Sequence, residues 1–158
     1  TEVRAATPDE LAALWLMGYD AWGRGDSRER YLDRCRDSDH YRSGEWFLLS
    51  AAGTPVSGLI VYRTGFGLPA ACAGIGSVAT DPAQRGRGYG TTLVREVTRR
   101  LGADGVQGVY LHSEVGAAFY AALGYRATEP QDTDVGSTCM VYTSAGDDSL
   151  MRYAPEYF

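Results

Sequence analysis

The sequence predicts an α+β fold, a single mixed and mostly antiparallel sheet flanked by about four helices. Three observations carry that expectation. Two apolar, β-rich runs, Glu45–Ala52 and Val56–Thr64, flank the turn-like Gly53-Thr54-Pro55, the pattern of an antiparallel hairpin. A third strand-like run over 71–80 passes through a glycine-rich turn into a stretch with Leu93, Val94, Val97 and Leu101 at helical spacing. Near the start, Thr7-Pro8-Asp9-Glu10 places an N-cap residue, a proline at the first helical position and an acid at N3.

The elements follow in order. Val3–Ala6 reads as a short strand, and the capped helix after it runs to about Ala21, where Gly23 to Gly25 turn the chain. A second, largely solvated helix is expected over Ser27–Asp39, with Tyr31, Leu32 and Cys35 as its apolar stripe among mixed charges. The hairpin and third strand come next, then a helix over Gly88–Leu101 closed at Gly102. Val106–Leu111 reads as a strand, Val115–Leu123 as a helix closed by Gly124, and Thr138–Thr143 as a last strand. The predicted order is β-α-α-β-β-β-α-β-α-β. One domain is expected over 1–158, with a core of about 2–143 and a tail over 144–158 whose Tyr153, Tyr157 and Phe158 either hang loose or pack on the body.

Composition excludes several classes. A formal charge of −5 disfavours nucleic acid and anionic membranes as partners. No apolar run of about 20 residues and no basic-then-apolar leader pattern is present, so a cytoplasmic protein is expected. Three cysteines without a C-x-x-C pair, and two histidines, supply neither a disulfide framework nor a metal site. All fifteen basic residues are arginine, which removes both the phosphate-loop lysine and a Schiff-base lysine.

The segment Thr80-Asp81-Pro82-Ala83-Gln84-Arg85-Gly86-Arg87-Gly88-Tyr89-Gly90-Thr91 joins a strand to a helix. Glycines there admit a ligand to the backbone, and the unpaired first amides of the helix, with its dipole, favour a phosphate. Arg85, Gly88 and Gly90 match R/Q-x-x-G-x-G/A, and Phe119-Tyr120-Ala121-Ala122-Leu123-Gly124-Tyr125 matches F-Y-x-x-x-G-F/Y. Both motifs, their spacing and the element order resemble the GNAT superfamily of N-acetyltransferases.

That resemblance implies an enzyme that moves an acetyl group from acetyl-CoA, as acyl-donor substrate and without metal, to an amine. The pyrophosphate would lie on backbone amides of Arg85, Gly86, Arg87, Gly88, Tyr89, Gly90 and Thr91, with the pantetheine along Val78, Ala79 and Thr80. The Val78 amide would stabilise the oxyanion, and Tyr120 would protonate the leaving thiolate. Ser113 stands where the family often has an asparagine that touches the cofactor. The family's usual base positions, two and four residues before the amide donor, are Gly76 and Gly74 here.

Asp20 and Glu45 are therefore the candidates to hold the ammonium and relay its proton, Glu114 is a further carboxylate, and the carboxylate after Phe158 follows them. The acceptor is expected near Trp15, Tyr19, Trp22 and Tyr41, whose ring faces suit a cation. The resemblance of Leu111–Tyr120 to fungal lysine acetyltransferases inclines the acceptor toward an amino acid or other small primary amine. Two readings stand beside this one: a catalytically silent acyl-CoA-binding module, and a nucleotide or sugar-phosphate binder. A homodimer is left open.

Overall fold

The computed structural model describes residues 1–132, 136–144 and 147–158. Strands are β1 (Glu2–Ala5), β2 (Glu45–Ala51), β3 (Thr54–Tyr62), β4 (Cys72–Thr80), β5 (Gly108–Ser113), β6 (Arg126–Ala127) and β7 (Thr138–Thr143). Helices are α1 (Leu11–Leu16), α2 (Tyr19–Trp22), α3 (Arg28–Asp37), α4 (Asp39–Ser43), α5 (Tyr89–Ala103) and α6 (Ala118–Ala121). Strand order is β1-β2-β3-β4-β5-β7-β6, the mixed sheet the sequence predicts. The chain divides into two compact units, residues 1–61 with 77–97, and residues 62–76 with 98–158.

In the first unit β1 pairs antiparallel with β2, and β2 with β3. The hairpin turns on Ala52 and Gly53, at φ 50° and 79°, the two left-handed residues that a two-residue turn between twisted strands requires. β3 is buried from Val56 onward, as expected of an interior strand covered on both faces. The single N-terminal helix expected up to Ala21 is instead a 3-10 turn (Pro8–Glu10), α1 and α2. The break falls at Gly18, where a Cβ would meet the Trp22 ring at 2.1 Å: the indole packs on bare backbone there.

The second predicted helix is also two. Ser38 is extended, at φ −69° and ψ 119°, ending α3 and capping α4 by accepting from the Tyr41 amide. Serine does both because its hydroxyl replaces a backbone acceptor at the new N-terminus.

In the second unit β4 pairs parallel with β5 over Cys72–Gly74 and Gly108–Tyr110, while β5 pairs antiparallel with β7, and β7 with β6. β6 has only two residues, too short to show as a pattern in the sequence. α5 continues through Gly102 to Ala103; the chain leaves it at Gly105, φ 92°, with the Val106 amide donating to Leu101. The stop predicted at Gly102 is thus moved to the glycine that adopts the left-handed cap. The helix predicted over Val115–Leu123 shrinks to α6, because the Ser113 hydroxyl closes a turn on the Gly116 carbonyl first.

The tail packs rather than hanging loose. Leu150 is buried against Cys72, Tyr110, Cys139 and Val141, with Phe158 at the edge of the cluster, and the Tyr110 hydroxyl donates to the Leu150 carbonyl at 2.6 Å. Cys35, Cys72 and Cys139 are free and buried, and burial raises each thiol's pKa. Among the described residues no group of His, Cys, Asp and Glu is arranged to hold a metal, and no helix is long and apolar enough to cross a membrane.

Candidate functional site

The glycine-rich turn belongs to the first unit. Thr80, at the end of β4, is followed by Asp81, whose carboxylate accepts from the Ala83 amide and starts the 3-10 turn Pro82–Gln84. Gly86 and Gly88 lie at φ 80° and 81°, and a Cβ at either would meet nothing within 4 Å. Open space and left-handed backbone together expose the peptide edge of 86–88 to solvent. The Gly88 carbonyl accepts the first bond of α5 from the Thr92 amide, so the amides of Tyr89, Gly90 and Thr91 have no acceptor within the helix. Gly90 brings the helix close to β4: a Cβ there would stand 3.3 Å from the Thr80 hydroxyl. The result is a row of donors at the positive end of a 15-residue helix, a cradle that fits a phosphate or pyrophosphate.

Arg85 turns its side chain away from that row. Its Nη1 and Nη2 donate to the two Asp20 carboxylate oxygens at 2.7 and 3.0 Å, Nη2 also reaches the Met17 carbonyl at 3.0 Å, and Nε donates to the Thr80 carbonyl at 3.1 Å. The structure thus joins Asp20 to Arg85, and this bond holds the Asp20 carboxyl below its ordinary pKa. A carboxylate engaged by both oxygens is a poor proton acceptor, so Asp20 works as an anchor for arginine. Glu45, by contrast, is exposed at the start of β2, opposite Val61.

β4 is distorted next to the predicted oxyanion donor. Ser77 has φ 48° within the strand, a strained conformation for a residue with a Cβ. Its hydroxyl is 3.0 Å from that of Tyr41, while Ala79 and Thr80 are tied to Ser57, whose hydroxyl lies 2.9 Å from the Ala79 carbonyl and 3.0 Å from the Thr80 hydroxyl. The left-handed Ser77 stands just before Val78, and a partner from α4 holds it. Nothing in the sequence marks Ser77 or Tyr41 for this role; a left-handed serine carries no motif.

The predicted acceptor aromatics sort into two groups. Trp15 stacks on Tyr41 at 6.3 Å, and Tyr41 meets Trp46 edge-on at 4.9 Å. Tyr19 instead leans on Tyr31 at 5.3 Å with the Arg28 guanidinium over its ring, and Trp22 packs against Gly18. Trp46 was not among the sequence candidates, because its place in β2 reads simply as core.

The second unit carries Tyr120. It is 8% exposed, on α6, between Phe119 and Tyr125 at 4.9 and 6.0 Å. Burial, and secondarily the Glu114 carboxylate, push its phenol up to about 12. Ser113 is buried, accepts from the Val115 amide at 3.3 Å and donates to the Gly116 carbonyl; its hydroxyl serves the turn into α6 and is not turned out toward a ligand. Gly74 lies beneath the Phe158 ring. His112 contacts the same ring at 4.9 Å, and its Nε2 is 2.9 Å from the Glu156 carbonyl. Burial lowers the pKa of this imidazole.

Among curated sequences nothing matches. The chain resembles the solved structure of a candidate N-acetyltransferase from Lactobacillus plantarum, with 25% identity, TM-score 0.67, and coverage of 90% of this chain and 97% of that one. Two further structures share the fold: the PaiA N-acetyltransferase from Thermoplasma acidophilum in complex with coenzyme A (15% identity, TM-score 0.65, covering 90% and 98%), and a GNAT family acetyltransferase from Brucella melitensis in complex with acetyl-CoA (18%, 0.63, 92% and 97%). A model of the acetyltransferase (GNAT) family matches residues 9–125. That match takes in the glycine turn and the Phe119–Tyr120 pair, and with it the chain belongs to the acetyltransferase (GNAT) family.

Proposed function

We propose that the protein transfers an acetyl group from acetyl-CoA to an amine, and that a small primary amine or amino acid is the acceptor. The observation that carries this reading is the turn at 86–91, open and left-handed at Gly86 and Gly88, which leads into the free amides of α5. When bound there, acetyl-CoA supplies an activated thioester. The turn amides hold its pyrophosphate, and the exposed Arg87 adds charge beside them. The Val78 amide, beyond the left-handed Ser77, meets negative charge as it develops on the carbonyl oxygen. Tyr120 stays a phenol throughout the neutral range and hands its proton to the leaving sulfur.

Of the Trp15–Tyr41–Trp46 group the two tryptophans are buried and Tyr41 is half-buried, so it is the Tyr41 ring that supports a cationic acceptor, since aromatic rings attract an ammonium. Asp20, committed to Arg85, leaves Glu45 as the sequence-predicted carboxylate for the incoming amine. Reduced, buried thiols fit the cytoplasm.

Incubation with acetyl-CoA and a panel of amines, following free thiol, tests the reading. Thiol release that depends on the amine is expected. Binding of CoA without such release favours the second reading, a silent acyl-CoA sensor, which Gly74 and Gly76 favour by placing no basic side chain on that part of β4. Competition of CoA with ATP and NAD excludes the nucleotide binder if only CoA competes.

A further inference from the structure

Two arginines hold the short α2 segment from opposite ends. At its start, Arg85 binds Met17 and both oxygens of Asp20. At its end, Arg34 of α3 donates to Asp26 at 2.9 Å and to the carbonyls of Trp22 and Gly23 at 3.3 and 3.2 Å. The Arg34 end ties helix to helix. The Arg85 end is different in kind, because Arg85 is the first residue of the glycine turn and also bonds the Thr80 carbonyl at the turn's other side. Whatever fixes the turn backbone fixes the root of this guanidinium.

The Arg85–Asp20 pair is solvent-exposed, its side chains 45% and 50% accessible. Screened pairs of this kind contribute little to global stability. The same weakness makes the pair sensitive to how well its arginine is positioned. The segment it holds is joined to α1 only through Met17 and Gly18, where the helix is already broken.

We propose that Arg85 is a positioning residue that couples the phosphate turn to α2, so that CoA bound at the turn orders residues 17–23 through Asp20. This rests on the reading of the turn as a CoA site and deepens it. The signature arginine then acts on the acceptor side, which begins at Trp15 in the neighbouring turn of α1, and the phosphate is met by backbone amides and Arg87. Coupling of this sort is reciprocal: an acceptor that needs the ordered segment binds better once the donor is in place.

Amide hydrogen exchange with and without CoA tests this on the intact chain, and calorimetry measures CoA affinity beside it. The amides of Ala21, Trp22 and Gly23 are the probes, since each is bonded within the segment. On adding CoA to the wild type their exchange is expected to slow about fivefold or more. In Asp20→Asn and Arg85→Gln the slowing should vanish. Arg85→Lys, which keeps the charge but loses the planar fork, should lose it too and stands in if the glutamine variant fails to fold. Asp20→Asn should keep CoA affinity within about threefold of wild type. Slowing that persists in the variants, or CoA binding to wild type without slowing, overturns the coupling alone. A tenfold tighter CoA complex in Asp20→Asn also overturns it, because the freed guanidinium would then be a phosphate ligand. No binding heat with wild type removes the CoA site itself, and the coupling with it.

Discussion

The ring of Phe158 lies over Gly74, so that a Cβ at that glycine would stand 2.5 Å from the ring's Cζ. Tyr62, Phe66 and His112 surround the same ring at 5.5, 5.4 and 4.9 Å. The volume a side chain at 74 would need is filled by an aromatic residue from the far end of the sequence. Gly74→Glu therefore should not install a strand carboxylate. Overpacking of this kind costs about 1–3 kcal/mol, a Tm loss of several degrees for a chain of this size. Measured against Phe158→Ala alone, the added Gly74→Glu should cost much less than it does in the wild type. An unchanged Tm in the single variant would show that the ring yields freely.

Tyr120→Phe removes one hydroxyl from a buried ring and leaves its contacts with Phe119 and Tyr125. The fold and CoA affinity should survive, while kcat falls about 10²- to 10⁴-fold. With the phenol at about 12, the wild-type rate should show no basic limb from this group between pH 7 and 10. Full turnover in the variant would assign Tyr120 to packing.

Gly88 sits at φ 81° with open space where a Cβ would go. Gly88→Val therefore meets no clash with the protein, yet a β-branched residue is disfavoured in the left-handed region by roughly 1–2 kcal/mol. The backbone should flip, removing the amide row from the phosphate. CoA affinity measured by calorimetry should fall at least about tenfold with little change in the circular dichroism spectrum; equal affinity would remove the turn from the binding site.

Glu10 closes the entry to α1 by accepting from both Arg4 guanidinium nitrogens, at 2.8 and 2.7 Å, and from the Thr7 amide at 3.0 Å. These bonds, Arg4 first, hold its carboxyl down to about 2. Since the folded-state pKa is depressed, the stabilisation is complete above the unfolded value near 4.5 and fades as pH falls through about 2. Glu10→Gln should be less stable than wild type at neutral pH, and the two should converge below pH 2. A constant difference across the acid range would show that the bonds, not the charge, matter.

How far the sequence reaches depends on whether a feature is local. Thr138–Thr143 and the hairpin strands are legible because their apolar runs end at turn residues, and α5 because Leu93, Val94, Val97 and Leu101 repeat on one face. The glycine turn is equally visible, since glycines at fixed offsets carry their own conformational reason. The breaks at Gly18 and Ser38 are not, because each depends on a packing or capping partner that periodicity does not register. In the candidate site, residue types were legible and pairings were not. Asp20 reads as a free carboxylate until Arg85, sixty-five positions away, takes both its oxygens. Phe158 over Gly74 and Tyr41 beside Ser77 join residues whose sequence separation hides the contact.

The burial of all three cysteines bears on how the enzyme is assayed. Thiols shielded from solvent and kept protonated react slowly with disulfide dyes. Colour developing from such a dye in a reaction mixture thus reports coenzyme released, with little background from the protein. A chain without lysine also offers no side-chain amine to consume acetyl groups in place of the added substrate. Turnover can be followed continuously at high enzyme concentration, the condition under which a slow acceptor first becomes detectable.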